Sequence, residues 1–485
     1  MSKLLTRGRL KSIREDVVKF TSSVKSDKKL VKHIININKA HMVMLAEQKI
    51  VDRAVGTKIL GALAGLKRGL RLKAFLQDAH MAVEEEVIEA TGREVGGNLH
   101  IAKSRNDQVS TAIRMALREE LINLLTLIMN LQDTIIAFSK EHVQTLIPGH
   151  THLQPAQPIT FAHYLLSFFD ALGRDSDRII EVYTRVDRCP MGAGALATTS
   201  FSISRERVSS LLGFGDVLEN SFDAVSSRDF LLEILGALSI LAVDISRLVE
   251  DLIIWCTSEF RIIDLPDEFS STSSIMPQKK NPEVLEVIRA RTGHVIGDLV
   301  SSLTVMKALP SSYNLDLQEV TPRVWNALET MGRALRMLSS LMPSLKVNSD
   351  VFERSDLTFT TATQLANMLV RKHSVPFRTA HNIVGALVRD LIEKDESLGD
   401  VSPERLDETA KRVGGIHLKV NPEDISSAIS PSVFVESHNV RGGPSKNEVL
   451  RMIAFRKELL RSSKSRLLER KERLRNAEKT LDHIV

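Results

Sequence analysis

Apolar residues recur at three- and four-residue steps from Val109 through Ile113, Ala116, Leu117, Leu121, Leu124, Leu125, Ile128 and Leu131 to Ile135, with no proline or glycine between Asp107 and Pro148. A stripe of that period is one face of an α-helix. The pattern predicts a helix of roughly thirty residues, about 45 Å long at 1.5 Å per residue. Comparable runs cover about 158–186, 228–257, 283–309 and 319–342. Five long helices with scarce strand signals predict an all-α fold built on a long-helix bundle. Within the 228–257 run, Leu231, Leu232, Ile234, Leu235, Leu238, Ile240 and Leu241 occupy more than one face, which predicts burial on several sides and association with other chains. The flanking stretches are more broken, so three domains are expected: 1–105, a central 106–355 with a chemistry-bearing loop at 266–282, and 356–485.

Composition narrows the class. The 485 residues are 43% hydrophobic and 26% charged, as in an ordinary globular protein of two or three domains. Two cysteines, Cys189 and Cys256, make neither a disulfide framework nor a zinc site, which points to a reducing, cytoplasmic setting. The start, MSKLLTRGRLKSIRED, lacks the apolar stretch of a secretory leader, and no uninterrupted apolar run approaches the ~20 residues of a membrane span. The net charge is +5, yet Lys446–Val485 alone holds twelve lysines and arginines against six acids. The surplus is therefore one C-terminal helix. Its spaced leucines and interleaved charges fit an amphipathic helix packed on its own protein better than a nucleic-acid arm. Neither nucleic acid nor membrane is expected as a partner.

Four polar clusters carry candidate chemistry. In SSIMPQKKNP, from Ser273 to Pro282, hydroxyls, two ammonium groups and an amide lie on a loop that runs into a helix. Pro282 is expected at its first position and Asn281 as its cap. A cluster there faces the positive end of a helix dipole, where an anion binds. Ser104-Arg105-Asn106-Asp107-Gln108 opens the long proline-free helix. Arg105 there can grip a carboxylate with two parallel bonds, or Ser104 and Asp107 simply cap the helix and leave Arg105 in solvent. Gly149 to Pro158 holds His150 and His152 in an irregular, proline-rich segment, a place for proton transfer rather than for core packing. Tyr313 to Glu319 is a polar turn after Pro310, either a site or a plain helix connection. Gly192 to Ala197 fits a loose dinucleotide fingerprint, but no strand of a βαβ unit precedes it, so a close-packed turn is expected. No P-loop, HExxH or cysteine-rich pattern occurs, so no cofactor and no metal are implied.

The Ser273–Pro282, Thr151–Gln154 and Ser104–Gln108 segments resemble the argininosuccinate lyase branch of the fumarase/aspartase superfamily. The likeness continues through Asn220–Ser226 and Asp316–Glu319 to Gly442-Gly443-Pro444. The resemblance implies a homotetramer whose central helices form a twenty-helix core, with each site assembled from three subunits. It implies elimination of arginine from argininosuccinate to leave fumarate, a step of arginine biosynthesis. It places the base at Ser273, the carbanion-stabilising cation at Lys279, a carboxylate ligand at Asn281, a general acid or proton relay at His152, and the carboxylate that orients it at Glu286. Ser23, Arg105, Asn106, Thr151, Tyr313 and Gln318 fall on substrate-binding positions. The chain departs from the family at Thr272 (usually glycine), His150 (tyrosine), Ile101-Ala102-Lys103 (Thr-Gly-Arg), Thr321 (lysine) and Thr6–Leu10 (Trp-Gly-Gly-Arg-Phe). These departures bear on substrate contacts and loop closure. They leave open a sister lyase acting on another succinyl-amine such as adenylosuccinate. A non-catalytic, crystallin-like relative is the third reading, and the five catalytic groups oppose it.

Overall fold

The computed structural model describes residues 9–66, 70 and 77–484. The shorter helices ahead of the bundle include α1 (Val31–Glu47) and α2 (Ala79–Thr91). Its members are α3 (Arg105–Glu141), α4 (Phe161–Val186), α5 (Asp229–Trp255), α6 (Glu283–Met306) and α7 (Thr321–Leu341). All five predicted runs are present, and the fold is all-α in its mass. The first helix is longer than expected, at 37 residues. Its start is fixed by a reciprocal cap: Ser104 Oγ accepts the Asn106 N–H at 3.4 Å, and Asp107 Oδ1 accepts the Ser104 N–H at 3.0 Å. α3 is long and apolar enough to cross a membrane by composition, but most of its apolar window is buried inside the bundle.

The stretch after α3 is not irregular, as expected from sequence, but a hairpin. β1 (Leu146–Thr151) pairs antiparallel with β2 (Gln154–Thr160), with a bulge between Gly149 and His150. His152 and Leu153 turn the tip with φ of 53° and 58°, the left-handed pair of a two-residue turn. The prolines are tolerated because a two-stranded ribbon has only edges.

Most of the core is one cluster of buried side chains, which includes Leu117, Leu125 and Ile128 of α3, Leu231, Leu235, Leu238 and Leu241 of α5, and Leu335 and Leu338 of α7. After the bundle, α8 (Ala362–His373), α9 (Phe377–Ile392) and α10 (Pro403–Gly414) enclose a second core of their own around Leu369, Leu387 and Leu406. The last helix, α11 (Lys446–Ile484), returns to the first core, burying Val449, Ile453, Leu460 and Leu467 there. Its charges meet acids of the bundle: Arg456 Nε donates to Asp170 at 2.8 Å, and Arg473 and Lys464 pair with Asp187 and Asp133. Basic excess and leucine spacing thus belong to one packed helix.

One face of the bundle stays uncovered. Val287, Ile296, Val300 and Leu303 of α6 are 41–56% exposed, and Ile240 and Val243 of α5 and Met337 of α7 stand open as well. Between α6 and α7 runs a groove of about 630 Å³ walled by Val284, Val287, Met331 and Met337.

Candidate active site

Five of the predicted substrate-binding residues, Ser23, Arg105, Asn106, Tyr313 and Gln318, line a single cavity of about 410 Å³. They come from segments up to about three hundred residues apart in sequence, brought together where the N-terminal helices meet the start of α3 and the turn before α7. Arg105 is not in solvent. Its side chain is 16% exposed, with Nε 3.3 Å from Asp78 and a terminal nitrogen 3.6 Å from Glu84. Neither nitrogen makes a hydrogen bond, so the fork is charge-paired but still able to donate. Asn106 Nδ2 donates to the Ala195 carbonyl at 3.0 Å, and Gln318 Nε2 to that of Thr21 at 3.1 Å. Both capping and a cavity-facing arginine thus coexist at Ser104–Asp107.

Sequence reading missed four titratable members of this cavity: Asp27, Asp78, His80 and Arg228. Asp27 Oδ2 accepts from Ser23 Oγ at 2.7 Å and from the Ala79 N–H at 3.1 Å. Burial nonetheless pushes its carboxyl up to about 6. Arg228 is sealed, and burial pulls it down to about 10. It donates to the Ser227 carbonyl at 2.8 Å while one terminal nitrogen stays without a partner. Burial also raises Tyr313. The usable signal was Arg228, two residues beyond the Asn220–Ser226 motif; Asp27 and Asp78 carry none.

Ser273, Lys279 and Asn281 sit on a hairpin loop. β3 (Ser271–Thr272) pairs antiparallel with β4 (Lys280–Asn281). Ser273 Oγ accepts the N–H groups of Ile275 at 3.3 Å and Met276 at 3.1 Å. The two lysines separate cleanly. Lys280 is tied to Asp264 at 3.2 Å and Asp267 at 3.0 Å, whereas the exposed Lys279 makes no ion pair among the described residues. Asn281 does not cap α6: it sits in β4 with Nδ2 3.4 Å from Ser271 Oγ, and Pro282 occupies the cap position. The strand pairing through Asn281 outcompetes the cap. Thr272 lies opposite Lys280 with ordinary extended backbone, where a β-branched residue fits. The departures Thr6–Gly8 lie outside the described residues.

Thr151 and His152 are exposed at the tip of the β1–β2 hairpin, and Glu286 is exposed in the first turn of α6. His150 packs its ring 5.2 Å from that of Phe260. Neither hairpin nor loop lines the cavity, and among the described residues no hydrogen bond or ion pair joins His152 to Glu286. One chain therefore holds three separate parts: a binding cavity, a serine loop and a histidine hairpin. Gly192 to Ala197 is the close turn expected, with the Gly192 and Gly194 N–H groups donating to buried Asp107 at 3.2 and 2.9 Å.

A family model described as Lyase matches residues 15–297, and one described as Argininosuccinate lyase C-terminal matches residues 359–436. The argininosuccinate lyase of Methanosarcina mazei is 41% identical, covering 100% of this chain and 99% of its own length. That of Methanocaldococcus jannaschii is 43% identical over 95% of each. The chain belongs to the argininosuccinate lyase family. Among solved structures, EDDS lyase in complex with formate superimposes with a TM-score of 0.87 at 30% identity, covering 94% of this chain and 91% of that one. The argininosuccinate lyase C-terminal match falls on the helices that enclose the second core, α8 to α10, and ends before α11.

Proposed function

We propose that this chain is the cytoplasmic argininosuccinate lyase of arginine biosynthesis, eliminating L-arginine from argininosuccinate to leave fumarate. One observation carries the reading: in a chain of this family, a single cavity gathers Ser23, Arg105, Asn106, Tyr313 and Gln318, positions with the donors that a substrate rich in carboxylates needs.

The chemistry assigns the remaining groups. The proton removed lies beside a carboxylate and is weakly acidic, so a strong base must act while fixed donors hold the dianion that forms. Ser273 is that base as its alkoxide, which the Ile275 and Met276 N–H groups stabilise. Lys279, unlike the tethered Lys280, is available to face the aci-carboxylate, and Asn281 holds the same carboxylate. As the electron pair moves in to form the double bond of fumarate, the C–N bond breaks. The departing guanidino nitrogen takes a proton from His152, whose imidazole Glu286 orients. Thr151 supports the substrate from the hairpin.

Separation of the three parts within one chain favours a homotetramer, in which the hairpin of one subunit meets the loop and cavity of others. The bare apolar residues on α5, α6 and α7 are the surface such a core would bury. The test is product formation from a panel of argininosuccinate, adenylosuccinate and other succinyl-amines. Turnover of argininosuccinate alone supports the reading, and preference for another adduct replaces it with a sister lyase.

A further inference from the structure

Two residues ahead of Arg105, outside every catalytic and substrate-binding role above, a lysine is buried beneath the cavity. Lys103 donates its ammonium to Asn38 Oδ1 of α1. Asn38 is itself oriented by a bond from Nδ2 to the Ile34 carbonyl at 2.8 Å, so its oxygen is aimed at the lysine. Charged and titratable groups face Lys103 from each element packed there. α1 contributes His41, whose Nε2 lies 2.8 Å from the Ile101 carbonyl oxygen. α2 contributes Glu84 and the buried His80. The turn ahead of α3 contributes His100, whose Nδ1 is 3.7 Å from Glu84. α3 itself contributes Arg105 and Asp107.

Glu84 links the two cations. It faces the Lys103 ammonium on one side and stands 3.6 Å from Arg105 on the other. Arg105 is held by charge: Nε is 3.3 Å from Asp78 and a terminal nitrogen 3.6 Å from Glu84, and neither nitrogen makes a hydrogen bond. We propose that Lys103 is a positioning residue for substrate binding: its buried ammonium offsets Glu84 and Asp107, leaving the Arg105 fork free to turn onto a substrate carboxylate. Without that charge, Glu84 pulls harder on Arg105, and the substrate's carboxylate has to compete with it. The inference rests on the proposed function, since it concerns the same cavity.

The device is sensitive to pH. Burial pushes the Lys103 ammonium down to about 7, although Asp107 and Glu84 hold it up. The charge is present below that value and lost above it, so KM rises as pH climbs through neutrality. His41 and His80 do not follow, because burial pulls both down to about 3 and keeps them neutral throughout this range. Asp107, pushed up to about 6 by burial, is already ionised where Lys103 titrates.

The test compares wild type, Lys103→Met and Lys103→Arg as assembled enzymes by KM and kcat for argininosuccinate from about pH 6 to about pH 9, with melting curves to establish that each is folded. The expected result is a Lys103→Met KM raised roughly tenfold at the acid end, flat with pH, with kcat within about threefold of wild type. Lys103→Arg, always charged, keeps the low KM into the alkaline range. A folded Lys103→Met with wild-type KM, or a Lys103→Arg whose KM climbs with pH as the wild type does, overturns the inference. If Lys103→Met does not fold, the Lys103→Arg profile decides. A wild type that does not turn over argininosuccinate overturns the proposed function first and this inference with it.

Discussion

Ser273 accepts two backbone N–H groups from its own loop, and that is what makes a serine plausible as a base. An alkoxide in open water would be too rare to act; one facing two fixed donors is less costly to form. The neighbouring lysines show how context divides identical side chains. Lys280 fastens the loop to Asp264 and Asp267 and its ammonium is raised by those carboxylates against the pull of burial, while Lys279 stays open to a ligand. Another residue holds strain. Ala102, just ahead of Lys103, has a φ of 58°, a conformation that costs an L-residue about 1–2 kcal/mol. Ala102→Gly removes that strain and adds back about 0.5–1 kcal/mol of unfolded-chain entropy. The expected net gain is up to about 1 kcal/mol, read as a higher midpoint in chemical denaturation. A lower midpoint would mean that the alanine methyl packs better than its backbone suffers.

At the scale of elements, α4 and α5 are joined across a carboxyl pair. Asp175 of α4 is fully buried; one oxygen accepts from Arg178 at 2.9 Å and the other has no partner. Burial first, and Asp244 of α5 second, push it up to about 7. A carboxyl raised in the folded state binds its proton more tightly there than in the unfolded chain, so stability falls as pH rises from about 4 through about 7. Asp175→Asn abolishes this titration. It should raise stability by under about 2 kcal/mol at pH 5 and by up to about 4 kcal/mol at pH 8, at 1.36 kcal/mol per unit. Equal effects at both values would show that Asp175 does not titrate there.

The long helices were legible because each keeps a 3.6-residue apolar period with few breakers. The 146–160 hairpin was not, because Pro148, Pro155 and Pro158 interrupt any strand alternation and favour an irregular segment in a local reading. The expected Asn281 cap failed for a similar reason: a pairing with Ser271, ten residues earlier, decided a backbone that local preference would have capped. The cavity was half legible. Its motif-bearing members stand in recognisable segments and Arg228 lies just beyond one, whereas Asp27 and Asp78 join it only through packing of the segments that lead into α1 and α2, which no short spacing encodes.

For the whole molecule, the decisive feature is that one chain keeps its proposed catalytic parts apart while leaving an apolar face of α5, α6 and α7 uncovered. Val300, on α6 and 56% exposed, tests whether that face is an interface. A charge in a tetramer core is costly, so Val300→Glu is expected to give a folded chain of monomer or dimer size by light scattering, with activity lost; a fully active Val300→Glu tetramer would place the contact elsewhere. The most direct measurement is release of fumarate and arginine from argininosuccinate by the purified assembly, beside Ser273→Ala. The expected result is turnover by the wild type and a loss of at least about a hundredfold in Ser273→Ala with its assembly unchanged. No product from an intact wild-type assembly, or near-normal turnover by Ser273→Ala, would contradict it.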